Sequence, residues 1–311
     1  MTYLPTDVPQ GGTSYERRHD GRVAALIEQR GEDVLVDLED AAARIGERLP
    51  SRMLELIAEG PGALALAREV VRDSQLGTLA DGVRLLAPLP DPPSMRDFFA
   101  FEDHVRRGFD KRGEPIPEAW YELPVYYLTN HRSVLGPGET IPWPSFTSEL
   151  DYELEIAMIV GREGSGLGVE EAERHIFGYT LYNDCSARDL QRKEMQVRLG
   201  PARSKGFAQV LGPVIVTADE VDPTDLRVTA TIDGETVTDS HTGDLRWSFA
   251  EMLSYVSRGE TVYPGDVYGS GTVANGCGLE HGRMLQPGET LELSTPVIGT
   301  LVNTVGEPAA G

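Results

Sequence analysis

Residues 151–160 read Asp-Tyr-Glu-Leu-Glu-Ile-Ala-Met-Ile-Val, and the rest of the chain is best arranged around them. The run has no Gly or Pro and ends in apolar, partly β-branched residues, which is the pattern of a strand. Side chains alternate along a strand, so Glu153, Glu155, Ala157 and Ile159 share one face, and Leu154, Ile156, Met158 and Val160 share the other. Two carboxylates therefore project side by side from an otherwise apolar segment. Unpaired like charges there force at least one group to protonate. A hard divalent cation with oxygen ligands removes that penalty. An edge strand with one solvated face and two surface glutamates has the same local pattern, so the choice depends on residues downstream.

With 311 residues, the chain has room for one large core or two unequal domains. Its formal charge of −22, from 50 acidic against 28 basic residues, argues against nucleic acid or an anionic membrane as partner. Cys185 and Cys277 make no disulfide framework, and the polar N-terminal stretch contains no signal peptide or membrane span. These features predict a cytoplasmic protein.

Residues 1–15, rich in Gly, Pro and Thr, are expected to be loose. A small α/β unit follows, with a strand at 34–37, a helix over 39–49 and one or two helices over 53–71. Prolines 88, 90, 92 and 93 exclude a continuous helix and mark a boundary. The predicted organisation is an N-terminal domain (1–86), a Pro-rich linker (87–93) and a larger domain (94–311). Ser94 and Asp97 have capping-box spacing, which predicts a helix carrying Asp97, Phe101 and His104 on one face. Strands are expected at 121–128, 178–182, 213–217, 226–232, 236–238 and 291–294. Asp233-Gly234 signals a hairpin, and Ser248 with Glu251 caps a helix running to about residue 258. Strands follow one another too quickly for helical crossovers, so the class is α+β.

Asp184 falls at a strand-to-helix junction, where side chains readily face a cleft. Ser186 and Asp189 again have capping-box spacing, and on the helix they open Arg188 and Gln191 share a face. Lys205 stands in a loop of small residues. There is no P-loop, G-x-S-x-G elbow, H-E-x-x-H or C-x-x-C motif, so nucleotide, serine-hydrolase and zinc readings lack support.

The combination Glu153-x-Glu155, Asn183-Asp184-x-Ser186-Ala187-Arg188-Asp189-x-Gln191, Lys205-x-Phe207 and Gly269-Ser270-Gly271-Thr272 resembles the fumarylacetoacetate hydrolase family, over about residues 97–302. The resemblance implies a β-rich mixed roll, a homodimer, and one Mg²⁺ (or Ca²⁺ or Mn²⁺) held by Glu153, Glu155, Asp184 and, as in the fumarylacetoacetate-cleaving branch, Asp97. It makes His104 the water-activating base and Glu280 the group that orients it. Arg188, Gln191 and Lys205 take the positions that bind or polarise substrate oxygens, and Thr272 a substrate-contacting one. The family's substrate-contacting arginine falls by strict spacing on Gly113, which leaves Arg112 as its counterpart. Three positions depart from the pattern: Cys185 replaces a tryptophan, and Phe99 and Met195 replace tyrosines that meet substrate. Losing two hydroxyls favours a less polar acyl tail over fumarylacetoacetate. The leading expectation is therefore a metal-dependent hydrolase cleaving a carbon–carbon bond in a small 1,3-diketo acid. The alternative is a decarboxylase, isomerase or hydratase acting on a 2-oxo or 2-hydroxy-dienoic acid. A second alternative is a non-catalytic, metal-stabilised binding module.

Overall fold

The computed structural model describes residues 1–29, 31–72, 77–79 and 82–309. A seven-stranded sheet runs in the order Tyr126–Leu128, Met95–Phe98, Val267–Gly269, Leu154–Val160, Ile176–Asp184, Gln209–Thr217, Val134–Leu135. The acidic strand lies in the middle of it, antiparallel to both neighbours, and every one of its residues is buried. The edge-strand reading is thus excluded. Its two faces serve two cores, as the alternation requires. Leu154, Ile156, Met158 and Val160 pack with Val228, Leu291 and Leu293 of a second sheet and with Phe249, Met252 and Leu253 of the helix Phe249–Ser257. Ala157 and Ile159 pack with Ile57, Ala67 and Val70 from N-terminal helices.

The second sheet has five strands, in the order Glu235–His241, Arg227–Ile232, Thr290–Thr295, Gly299–Pro308, Thr140–Trp143. Its first hairpin turns at Asp233 (φ 50°) and Gly234 (φ 79°), the double left-handed turn that Asp-Gly favours. The Ser248–Glu251 capping box is present as expected. Both sheets are mixed, and with short helices against them the α+β, β-rich roll is as the sequence predicts.

The N-terminal part forms its own five-stranded sheet, with helices Leu38–Arg44, Met53–Glu59 and Pro61–Arg72. Two expectations fail here. The first residues are not loose: Thr2–Leu4 pairs with both Arg22–Gln29 and Arg84–Leu86, and buried Ser14 donates its backbone N–H to Glu139 Oε2 at 3.0 Å. The helix expected over 39–49 stops at Arg44. Residues 87–90 are buried, so the Pro-rich segment is packed chain and not a free tether. Whether 1–86 folds as a separate domain is a proposal that limited proteolysis can address.

Three local signals were overridden. Ser94 does not cap a helix; its hydroxyl donates to Asp266 Oδ1 at 2.7 Å, and Met95–Phe98 is a strand between Tyr126–Leu128 and Val267–Gly269. All four of that strand's residues are buried, and partners distant in sequence outweigh the cap. His104 therefore sits on a later helix, Glu102–Asp110. Residues 121–128 divide into the end of helix Glu118–Glu122 and the strand Tyr126–Leu128. Helix Arg188–Gln196 has no side-chain cap: Ser186 donates to the carbonyl of Asp184, while Asp189 accepts from Thr147 and Ser148.

Candidate metal centre and acid–base pair

Pairing brings the acidic residues together. Leu154 lies opposite Asn183 and Glu155 opposite Tyr182, which sets Glu153 and Glu155 beside Asp184; Gly269 pairs with both Ala157 and Asp97. Asp97, Glu153, Glu155 and Asp184 are all buried, and one oxygen from each lies within 4.8 Å of the others. Gly269 permits this approach, because a Cβ there would stand 2.5 Å from Asp97 Oδ1 and 2.9 Å from Glu155 Oε2. The Gly271 N–H donates to Glu155 Oε2 at 3.0 Å and to Asp97 Oδ1 at 3.2 Å, and Thr272 Oγ1 lies 3.5 Å from Glu155 Oε1.

Two cations are built into the same cluster. Lys205 Nζ donates to Glu153 and, at 2.5 Å, to Asp184 Oδ2. Arg188 places Nη2 2.8 Å from Glu153 Oε1, donates from Nε to Asp151 Oδ2 at 2.7 Å, and donates from Nη1 to Gln191 Oε1 at 2.9 Å. Tyr127 donates its hydroxyl to Asp184.

The acidities divide accordingly. Burial, then the charge of Asp184, pushes Asp97 up to about 8. Burial, then Asp97 and Glu153, holds Glu155 well above the carboxylate range. Burial raises Asp184 despite Lys205. Burial alone would raise Glu153 as well, but the charges of Lys205, Arg188 and His104 bring it down to about 2. Lys205 is raised: its carboxylate partners outweigh burial, which alone would lower it, so it stays cationic at neutral pH.

This donor set fits a divalent cation. Asp184 Oδ1 is buried and accepts no hydrogen bond. Even with Lys205 and Arg188 counted in full, four ionised carboxylates leave two negative charges uncompensated, the charge one divalent ion supplies. Oxygen-only ligands suit Mg²⁺, Mn²⁺ or Ca²⁺.

His104 Nδ1 lies 3.2 Å from Glu280 Oε2, and the Phe99 ring meets the imidazole edge-on at 5.5 Å. Glu280 is held below the usual value, because His104 outweighs the upward effect of burial. Arg107, one turn beyond His104, sets Nε 3.9 Å from Glu280 Oε1 and donates from Nη1 to Asn275 Oδ1 at 2.6 Å.

The structure thus brings together Asp97, Glu153, Glu155, Asp184, Lys205, Arg188, Gln191 and Thr272, and separately His104, Glu280 and Phe99. Arg112 joins neither group: its exposed guanidinium stacks on Phe109 and pairs with Glu114. Met195 is exposed on its helix. The sequence reading missed Asp151, which anchors Arg188 and accepts from the Gly278 and Leu279 N–H groups. It also missed Tyr127, Arg107 and Cys277, whose thiol lies 3.7 Å from Glu280 Oε2. Only Asp151 carried a local signal, as the acid that opens the central run.

Residues 94–306 match the family model described as fumarylacetoacetate (FAA) hydrolase C-terminal. The chain is 30% identical over 290 residues to oxaloacetate tautomerase YisK of Bacillus subtilis (strain 168), covering 88% of this chain and 94% of that protein. It is 29% identical over 265 residues to the mitochondrial oxaloacetate tautomerase FAHD2A of Bos taurus, covering 83% and 80% respectively. Among solved structures it resembles the fumarylacetoacetate hydrolase (EaFAH) from psychrophilic Exiguobacterium antarcticum. That match has a TM-score of 0.73 at 29% identity and covers 98% of both chains.

Proposed function

The chain belongs to the fumarylacetoacetate hydrolase family, and from that premise we propose that it is a divalent-metal-dependent tautomerase interconverting the keto and enol forms of a short 2-oxo dicarboxylic acid of the oxaloacetate type. The observation that carries the site is the convergence of four buried carboxylates on two fixed cations. The similarity to oxaloacetate tautomerases over most of the chain supports proton transfer over the carbon–carbon cleavage that the sequence reading placed first.

Asp97, Glu153, Glu155 and Asp184 would hold the cation, which when bound supplies Lewis acidity toward the oxygens of a 2-oxo acid. The chain's own groups do the rest. Lys205 and Arg188, cationic at neutral pH, offset negative charge that develops on the substrate oxygen. With Nδ1 turned to Glu280, His104 has Nε2 left to take the proton from the carbon next to the oxo group and return it. No water is consumed. Arg107, one turn beyond His104, suits the second carboxylate of a dicarboxylic acid. Among the described residues no helix is long and apolar enough to cross a membrane. A homodimer is proposed from the family resemblance, and light scattering tests it.

Hydrolysis of an acylpyruvate is the second reading, favoured by the His104–Glu280 pair and by the likeness to the Exiguobacterium hydrolase. Incubating Mg²⁺-loaded protein with enol-oxaloacetate and, separately, with an acylpyruvate distinguishes them. Faster ketonisation without cleavage supports the tautomerase; release of pyruvate supports the hydrolase.

A further inference from the structure

Beside the carboxylate cluster, the described residues form a second group of different chemistry. A ring nitrogen of His104, Cys277 Sγ and a carboxylate oxygen of Glu280 all lie within 4.8 Å of one another. The set is one nitrogen, one sulfur and one oxygen, the borderline-soft combination that Mg²⁺ and Ca²⁺ avoid and Zn²⁺ prefers. The spacing also suits zinc. Tetrahedral bonds of about 2.0–2.1 Å to nitrogen or oxygen and about 2.3 Å to sulfur place nitrogen and oxygen about 3.4 Å apart, and sulfur and oxygen about 3.6 Å apart. The observed separations are 3.2 Å for Nδ1 to Oε2 and 3.7 Å for Sγ to Oε2.

A second observation points to a ligand. Glu280 Oε1 is a buried atom without a hydrogen-bond partner, and the Glu280 side chain keeps only 6% of its exposure. The nearest cation recorded for Oε1 is Arg107, at 3.9 Å. The scaffold is fixed: Cys277 bridges to the backbone of Glu153, and Asp151 accepts from the Gly278 and Leu279 N–H groups between Cys277 and Glu280.

We propose that His104, Cys277 and Glu280 form a three-ligand site for Zn²⁺ or a similar borderline transition-metal ion, and that filling it inhibits the enzyme. On binding, the thiol releases its proton to solvent and the thiolate sulfur bonds the ion. The ion takes His104 Nδ1 and the carboxylate that faces it; the proton Nδ1 carried moves through solvent to Nε2, which then has no lone pair left to accept a substrate proton. The inhibition rests on the role proposed above for His104; the binding does not.

Co²⁺ serves as the spectroscopic probe, added to full-length protein saturated with Mg²⁺ so that the oxygen site is occupied. The expected result is a thiolate-to-cobalt charge-transfer band saturating at about one equivalent. That band is absent in Cys277→Ser and retained in Cys185→Ser. Zn²⁺ competes it away, and Zn²⁺ affinity falls in Cys277→Ser and in Glu280→Gln by at least the roughly tenfold typical of losing even a supporting residue. Zn²⁺ inhibition of turnover weakens in parallel in Cys277→Ser. A wild-type protein without the band, or a Cys277→Ser protein that keeps it, overturns the site. The band requires no turnover, so it answers separately from the tautomerase reading. If the band is present but Zn²⁺ does not slow an active enzyme, the inhibitory part is wrong.

Discussion

Replacing Glu155 by Gln, with and without a divalent ion, separates a metal site from a merely acidic core. Without metal, burial and then the neighbouring Asp97 and Glu153 shift Glu155 well above the carboxylate range, toward its protonated form. The amide then resembles the group it replaces, and its carbonyl can still accept from Gly271 N–H. In EDTA, Glu155→Gln should therefore melt close to wild type, since the amide matches the protonated carboxyl in shape and leaves the Gly271 N–H its acceptor. With Mg²⁺ at about 100 times its dissociation constant, linkage adds about 2.7 kcal/mol to wild type. For a chain this long each kcal/mol moves Tm by about 2 °C, so the shift is about 5 °C. The variant lacks a ligand and should show little of it. Differential scanning calorimetry in the two buffers reads both arms. Equal Mg²⁺ responses, or a large loss of stability in EDTA alone, refute the reasoning.

Three further outcomes are expected. Lys205→Met should lower kcat by about 10²- to 10³-fold, the usual effect of removing a preorganised charge, with a smaller change in KM; steady-state kinetics checks it. Arg107→Ala should raise KM for a dicarboxylic 2-oxo acid about tenfold or more, since charged hydrogen bonds contribute about 1.5–3 kcal/mol, and leave a monocarboxylic analogue unchanged. Burial alone would raise Asp37, but hydrogen bonds from Arg22, Asp40 N–H and Tyr3 hold it below its usual value. Its contribution is thus present above about pH 3.9, the unfolded value, and is lost as pH falls through the lower folded value. The stability gap between wild type and Asp37→Asn should accordingly be widest near neutrality and close in acid, as denaturant titrations at several pH values will show.

What could be read from the sequence was local or carried by motif. Alternation placed Glu153 and Glu155 on one face, the spacing of Arg188 and Gln191 put them on one helix face, where they hydrogen-bond, and Asp233-Gly234 and Ser248–Glu251 formed the turn and cap they signal. The motif match supplied Asp97, Asp184, Lys205 and Glu280, whose partners are remote in sequence. What failed depends on such remote pairing. Ser94 carries a helix-cap signal, but its hydroxyl bonds Asp266, 172 positions away, and the strand it precedes gains a buried place in the sheet. The same blindness hid the central position of Leu154–Val160, the strand role of Thr2–Leu4, and Asp151 as anchor of Arg188. Arg112 was assigned by counting residues past a histidine, and the helix end carries it to the surface, while Arg107 stays on the histidine's face.

The most direct test of the account follows the ultraviolet absorbance of enol-oxaloacetate as it ketonises, with protein in Mg²⁺, protein in EDTA, and Glu155→Gln in Mg²⁺. The account predicts that wild type with Mg²⁺ accelerates the decay in proportion to enzyme concentration, that EDTA abolishes the effect, and that the variant loses at least about 10²-fold. A decay no faster than in buffer, or an acceleration that survives both EDTA and the substitution, contradicts it.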